Sequence, residues 1–576
     1  DVGIYGQGFG TTQGSVSIGS TAVTDFTLWS DNLIIVRIPA GASSGALQVK
    51  PQGSSSSLQT STPLNIHVGT LYYVSANTGN DSNSGDEQNP FQSIRKALSV
   101  VVPGDTILLG EGVYDEKDPA EIPSPALFLK ASFSGSASKP LTIRGLGAEI
   151  PTIRGSTDPS RDNPVAYLGS DYLRLARVKI DGTGNSSSGV SVQGSDIWLT
   201  AVEVTAFTAQ GILGGESTGL VLRGSHVHDG GTTVGESHAV VLTGTTGTIR
   251  DNHIENIANG FGLLLRYQTQ GSTLVAGNRI HDIAGPAIAL HRVKGGNRIF
   301  NNAVWNAGTS LGCLCSVEVG YGSQSGEGAT IADRLYYNTF AGPGSVAVSL
   351  VERSGNLELH GNVFADFQGG LAVEDTASAN ALRSSHNLWF NAAGTPQFRL
   401  GADWIDFDAF KAGAGQENFS LVADPKLVDP ATADLHLAAG SPAIDVGGGP
   451  DVPTDDFDGF GRPMGSAADW GAFETEGPDG GAPDSGPDAP APDGAAGAAG
   501  AAGAAGAAGG TTDAAAGDTG VAGDASTDDG GAGAPPAEGG GDDGGCGCSV
   551  PGSSPSLPAL LIAAISATVA LRRRRH

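Results

Sequence analysis

Asn252-His253-Ile254, Asn278-Arg279-Ile280, Asn302-Ala303-Val304, Asn338-Thr339-Phe340, Asn362-Val363-Phe364 and Asn387-Leu388-Trp389 are six copies of one pattern, an Asn two residues before an apolar residue. The same slot continues upstream without the Asn, as Val178-Lys179-Ile180, Val202-Glu203-Val204 and Ser225-His226-Val227. Seven of the eight intervals run between 23 and 27 residues, and the other is 36, between Val304 and Phe340. A period of this size, carried by short β-type runs with no helical segments between, marks a solenoid of coiled strands. Asn suits a tight corner because it tolerates positive φ, and its amide can hydrogen-bond to the Asn of the next coil. The repeat therefore predicts an all-β, right-handed parallel β-helix with an Asn ladder along one edge.

The residues around the slot phase a second strand in each coil. It reads Val190-Ser191-Val192, Ile212-Leu213, Val240-Val241-Leu242, Leu263-Leu264-Leu265, Ile288-Ala289-Leu290, Val348-Ser349-Leu350 and Leu371-Ala372-Val373, with alternate apolar side chains pointing inward. The long interval holds an extra loop around Cys313-Leu314-Cys315 and Tyr321 to Gly326. Loops on solenoids tend to line the binding face. Cysteines two apart on one face of a strand disfavour a mutual bridge, which leaves packed or loosely bonded loop cysteines, or a metal pair.

With 576 residues the chain is too long for one compact globule, whereas a solenoid lengthens without widening its core. The 89 Gly and single Met suit many tight corners and little helix. A net charge of −29 argues against a nucleic-acid partner.

Five parts are expected. Residues 1–68 alternate like a β-sandwich, and the run from Ile4 through Gly8-Phe9-Gly10, with Val16 to Ala22 and Trp29-Ser30-Asp31, resembles an IPT/TIG immunoglobulin-like domain. That resemblance implies a spacer or binding module, incomplete at its N-terminus because the strand before the Gly-Phe-Gly turn is missing. With no initiator Met or signal peptide, the chain is expected to begin inside a longer precursor. Residues 71–423 are the β-helix. Its opening, from Tyr72-Tyr73-Val74-Ser75 through Asn89-Pro90-Phe91 and Pro103-Gly104-Asp105 to Gly112-Val113-Tyr114, resembles that of pectate-lyase-like β-helix proteins. There Phe91, Ile94, Ala97, Leu98 and Val101 share a helical face behind Pro90, a cap over the terminal coil.

Residues 424–475, with Ser441-Pro442-Ala443-Ile444-Asp445 and Asp469-Trp470-Gly471-Ala472-Phe473, resemble the C-terminal closing segment of β-helix proteins and are expected to cover the last coil. Asp451, Asp455, Asp456 and Asp458 in this block are candidate Ca²⁺ ligands, or else a solvated acidic turn. Residues 476–545 are rich in Pro, Gly, Ala and Asp and have no aromatic residue, which reads as a disordered tether reaching roughly 45 Å. Residues 546–576 combine Cys546-Gly547-Cys548, an apolar run from Leu557 to Leu571 and four terminal Arg. The combination resembles the MYXO-CTERM sorting signal of myxobacterial surface proteins. It implies export and anchoring to the outer cell surface, at the outer membrane, through Cys546 or Cys548.

The phased strands gather polar residues on neighbouring coils: His238, then Arg266, then His291, Arg292 and Lys294, then Glu352 and Arg353, then Glu374 and Asp375. The pectate-lyase-like resemblance implies a polysaccharide partner. In a lyase acting on uronate polymers, Lys294 or His291 would be the base and Arg266 or Arg292 the carboxylate clamp. His238, Glu352, Arg353, Glu374 and Asp375 would contact the sugar chain. The chain lacks the Asp-Asp-Gly-x-Asp calcium cluster expected of such lyases, and the paired Asp and Gly-His-Gly of polygalacturonases. A noncatalytic polysaccharide-binding surface protein is therefore the main expectation, with a tethered lyase, or a glycoside hydrolase, as the alternative. His226 and His253, equivalent in adjacent coils, read as a simple stack, with a metal site as the other reading.

Overall fold

The computed structural model describes residues 2–475 apart from 6–8, 30–32, 40, 55–56, 60–63, 65, 67–68, 116–124, 148, 156–163, 184–187, 234–236, 269–270, 312, 321–330, 352–355 and 449–450. The Tyr321 to Gly326 loop, Glu352, Arg353, the tether, and the tail with Cys546 and Cys548 lie outside the described residues.

The chain is nearly all β, and its main body is a parallel solenoid preceded by an IPT/TIG-type sandwich. Among the described residues, three sheets of twelve strands each form the solenoid walls. The first runs from Leu71–Val74 to Leu382–Ser385, the second from Val113–Tyr114 to Leu421–Val422, and the third from Leu127–Leu129 to Asp403–Ile405. Each coil visits them in that order, as in Leu173–Ala176, Lys179–Asp181 and Ser188–Val192. The third sheet has the predicted register: Val190, Ile212, Val240, Leu263 and Ile288 are successive partners, followed by Val317, Val348 and Leu371. Their side chains join one continuous buried core.

The Asn slot is the corner between the first and second sheets. Asn252, Asn278, Asn302, Asn338 and Asn362 each donate from Nδ2 to Oδ1 of the next Asn, at 2.8–3.0 Å, ending on Asn387. Ser225 and Ser420 extend the column at its two ends through main-chain bonds. The positive φ lies one residue earlier than expected, at Asp251, Gly277, Asn301, Tyr337, Gly361 and His386. The Asn therefore keeps its side chain inside the corner, where its amide satisfies main-chain groups that would otherwise be buried unpaired.

The N-terminal end closes as expected, with Phe91, Ile94, Ala97 and Leu98 buried and α1 at Ile94–Leu98. Its cap is Ser93 rather than Pro90; the Ser93 hydroxyl accepts from Lys96 N at 3.1 Å. In the sandwich, Val2–Tyr5 forms a strand paired antiparallel with Leu33–Arg37, so a strand does precede the Gly-Phe-Gly turn.

The C-terminal block does not cover the last coil. That end is closed by α3 (Phe407–Ala414), whose Phe410 is fully buried against Phe398, with Trp389 beneath. Residues 424–475 instead run back along the flank beside the Asn corner. Arg250 reaches Asp455 at 2.9 Å, Arg334 reaches Asp451 at 3.0 Å, and Gly471 N donates to Gly361 O at 2.8 Å. Between these polar anchors the strap also buries apolar side chains on the flank, Trp470 beside Tyr337 and Val363, and Phe473 beside Ala341 and Ala365.

Candidate functional site

Arg266 and His291 end successive strands of the third sheet and are register partners. The next residues, Tyr267 and Arg292, both turn with positive φ, at 54° and 53°. Equivalent corners on coils about 4.8 Å apart bring side chains into contact. Arg292 accordingly lies 5.3 Å from the Tyr267 ring centroid and Arg266 5.9 Å from it, with Arg292 Nη1 donating to the Tyr267 hydroxyl at 3.3 Å. Tyr267 is 46% exposed. An aromatic ring flanked by two guanidinium groups can hold a sugar face and its carboxylate together.

His291 Nε2 and Glu318 Oε1 are 2.9 Å apart, and Glu318 is buried. The carboxylate fixes the imidazole in place. The floor between is apolar, with Val241, Leu264 and Ala289 packed against Leu213 and Phe261.

The other predicted contacts divide. His238 is buried, and its Nδ1 accepts from Phe261 N at 3.1 Å. Burial, then the positive charge of Arg266 and His291, pushes its pKa down to about 3. A neutral, buried imidazole supports Phe261 rather than meeting a sugar. Lys294 is exposed in the turn beyond Arg292, and its N–H donates to Gln268 O at 3.1 Å. Glu374 pairs with Arg399 at 3.2 Å. Asp375 caps α2 (Thr376–Ala381), accepting from Ser378 N and Oγ at 2.9 and 2.7 Å.

The structure scatters the calcium candidates among separate partners. Asp451 and Asp455 face Arg334 and Arg250, Asp456 accepts from Phe460 N and Glu474 N, and Asp458 binds His436 at 2.7 Å. Four carboxylates so committed do not converge on one cation. The cysteines also differ from expectation: Cys313 and Cys315 form a disulfide, Cα to Cα 5.2 Å. Leu314 between them has φ 50°, so the two are not on one regular strand face, and the turn brings their sulfurs together. The pair lies within 4.8 Å of the Glu318 carboxylate.

Sequence reasoning missed Tyr267 and Glu318. Glu318 was hidden because its coil carries the insertion, although Val317-Glu318-Val319 has the alternation of its neighbours. Away from this edge, a concavity of about 490 Å³ lies between the last coils of the first sheet and the strap, with Tyr337, His360, His386, Phe419 and Trp470 around it.

Residues 165–323 match the family model described as right handed beta helix region, and residues 1–67 match the IPT/TIG domain. The uncharacterized protein YwoF of Bacillus subtilis is 26% identical over 223 residues, covering 37% of this chain and 42% of that protein. The chain thus spans less than half the length of that relative. Among solved structures, pectate lyase Pel9A is 16% identical over 71% of this chain and 97% of its own, with a TM-score of 0.47. An alginate lyase from Paenibacillus sp. is 16% identical over 57% and 98%, with a TM-score of 0.38. GH136 lacto-N-biosidase from Eubacterium ramulus is 16% identical over 62% and 67%, with a TM-score of 0.41.

Proposed function

We propose that the chain is an exported, surface-anchored β-helix protein that binds an acidic polysaccharide along the outer edge of its third sheet. The observation that carries this reading is the half-exposed Tyr267 ring with the guanidinium groups of Arg266 and Arg292 within 6 Å of it. On a molecule of net charge −29, a polyanion is repelled at long range, so a local pair of guanidinium groups has to supply the attraction. Charge-assisted bonds from those groups to a uronate, with the ring against the pyranose, supply both orientation and affinity. The Cys-Gly-Cys, apolar and Arg-rich tail supports anchoring at the cell surface.

The test is retention of polygalacturonate and alginate by the intact chain, with absorbance of unsaturated products followed in the same samples. Arg266→Ala and Arg292→Ala should each weaken retention, and the difference from wild type should shrink at high salt. Unchanged retention in both variants would remove the edge from consideration. A lyase reading is favoured by one observation, the His291–Glu318 pair at 2.9 Å, which orients an imidazole beside the two arginines. On that reading unsaturated products form, and His291→Ala stops them without loss of retention. Deleting Leu557 to His576 should release the protein into the medium or strand it in the periplasm; normal surface retention without this segment would exclude the anchoring role.

A further inference from the structure

The second sheet carries a cluster that polysaccharide binding does not use. Its outward side chains form two columns: Glu203, His226, His253 and Arg279 are successive partners in one, and His228, Glu255, His281 and Trp305 in the other. We propose that His226, His253, Glu255 and His281 form a site for a divalent transition-metal ion of the zinc type.

The donor atoms form two groups, each within 4.8 Å, that share Glu255: His226, His253 and Glu255 in one, and Glu255, His281 and Asp282 in the other. His253 Nε2 lies 2.7 Å from His281 Nε2, and His226 Nε2 lies 2.8 Å from Glu255 Oε1. Glu255 is also 3.9 Å from His253 Nε2 and 3.5 Å from His281 Nε2. Tetrahedral zinc with bonds of about 2.0–2.1 Å separates its ligand atoms by about 3.3 Å, so the two close pairs would open by about half an ångström as the groups draw together around the ion.

The tautomer is set as well. His281 Nδ1 is 2.7 Å from Asp282 Oδ2 and must donate to that carboxylate. The neutral ring then presents a bare lone pair at Nε2, aimed at His253. Asp282 itself accepts from Asn306 Nδ2, so the orienting carboxylate is held in turn. A carboxylate–histidine pair of this kind is the usual outer support of a metal ligand. Trp305 stacks on His281 at 4.0 Å and closes one side, while His226 and His253 stack at 4.7 Å. Nearby acids, Glu203, Asp229, Glu255 and Asp282, outnumber the cations Lys179 and Arg279, which favours a bound cation. Imidazole and carboxylate donors without thiolate suit zinc, copper or nickel over calcium.

The experiment uses the untagged full chain, stripped with chelator and dialysed against Zn²⁺, then loaded with Co²⁺ for visible spectroscopy. One ion per chain and a tetrahedral Co²⁺ spectrum are expected, together with loss of both in His253→Ala/His281→Ala. Asp282→Asn keeps every ligand atom and should lower affinity ten- to a hundredfold. His238→Ala, on the third sheet, should bind as wild type, as should Cys313→Ser/Cys315→Ser. Circular dichroism of each variant separates lost binding from lost fold. Absence of a bound ion in the wild type, retention of the ion by the double His variant, or its loss only in the cysteine variant would overturn the assignment.

Discussion

Asn302 shows how much one side chain can hold when it sits in a repeated corner. It is fully buried; its Oδ1 accepts from Asn278 N and Nδ2, and its Nδ2 donates to Asn338, Val275 and Phe300. Asn302→Leu removes the acceptor of Asn278 N and Nδ2 and the side-chain donor to Val275, Phe300 and Asn338, so a loss of about 1–3 kcal/mol is expected in urea or thermal unfolding. An unchanged midpoint would contradict the ladder's contribution. His238 gives a pH signature at the same scale. Its pKa is pushed down to about 3 in the fold, so the stability it contributes is present above 6.5 and is lost as pH falls toward 3. Between pH 7 and pH 5 the term amounts to about 2 kcal/mol, and His238→Phe should flatten that acid limb of the stability profile.

At the scale of elements, the ends of the solenoid differ in how they are closed. Stacked rings Phe340, Phe364 and Trp389, with centroids 5.1 and 4.3 Å apart, lead up the core to Phe398 and then to Phe410 of α3. Phe410→Ala should cost about 3–5 kcal/mol and expose the last coils first, read as faster amide exchange in residues 382–405 than in residues 190–265. The coils themselves were legible in the sequence because Asn, apolar and Gly positions recur, and repetition turns a weak local signal into a register. Val317-Glu318-Val319 escaped because the insertion before it broke the spacing, and α3 because nothing in its eight residues names its neighbour. The His column was visible only as a stack. Register alone places His226 over His253; it takes side-chain geometry to join Glu255 to that pair and His281 to Glu255.

Over the whole molecule, the strap is the part that sequence reading placed at the wrong location. It has no period, and its anchors are as distant as Arg250 and Asp455, 205 residues apart, so pattern could say that it closes something but not what. His436 within it sits between Asp434 at 2.6 Å and Asp458 at 2.7 Å. Burial opposes its charge, but the bonds and charges of Asp458 and Asp434 outweigh that and raise its pKa to about 9. The stability gained is therefore whole below pH 6.5 and disappears as pH rises through 9. Limited proteolysis of the strap should accelerate over that window, and His436→Gln should remove the dependence. The Asn column has a mechanical consequence too. Coils at Val178 and Val202 meet their neighbours without it, whereas those from Asn252 to Asn387 are stitched by it and clasped from outside by the strap. Because each coil answers only to the coils beside it, tension applied along the axis is not shared evenly. The N-terminal coils should therefore peel first, as a yielding shock absorber, with the stitched half as a hard stop behind them.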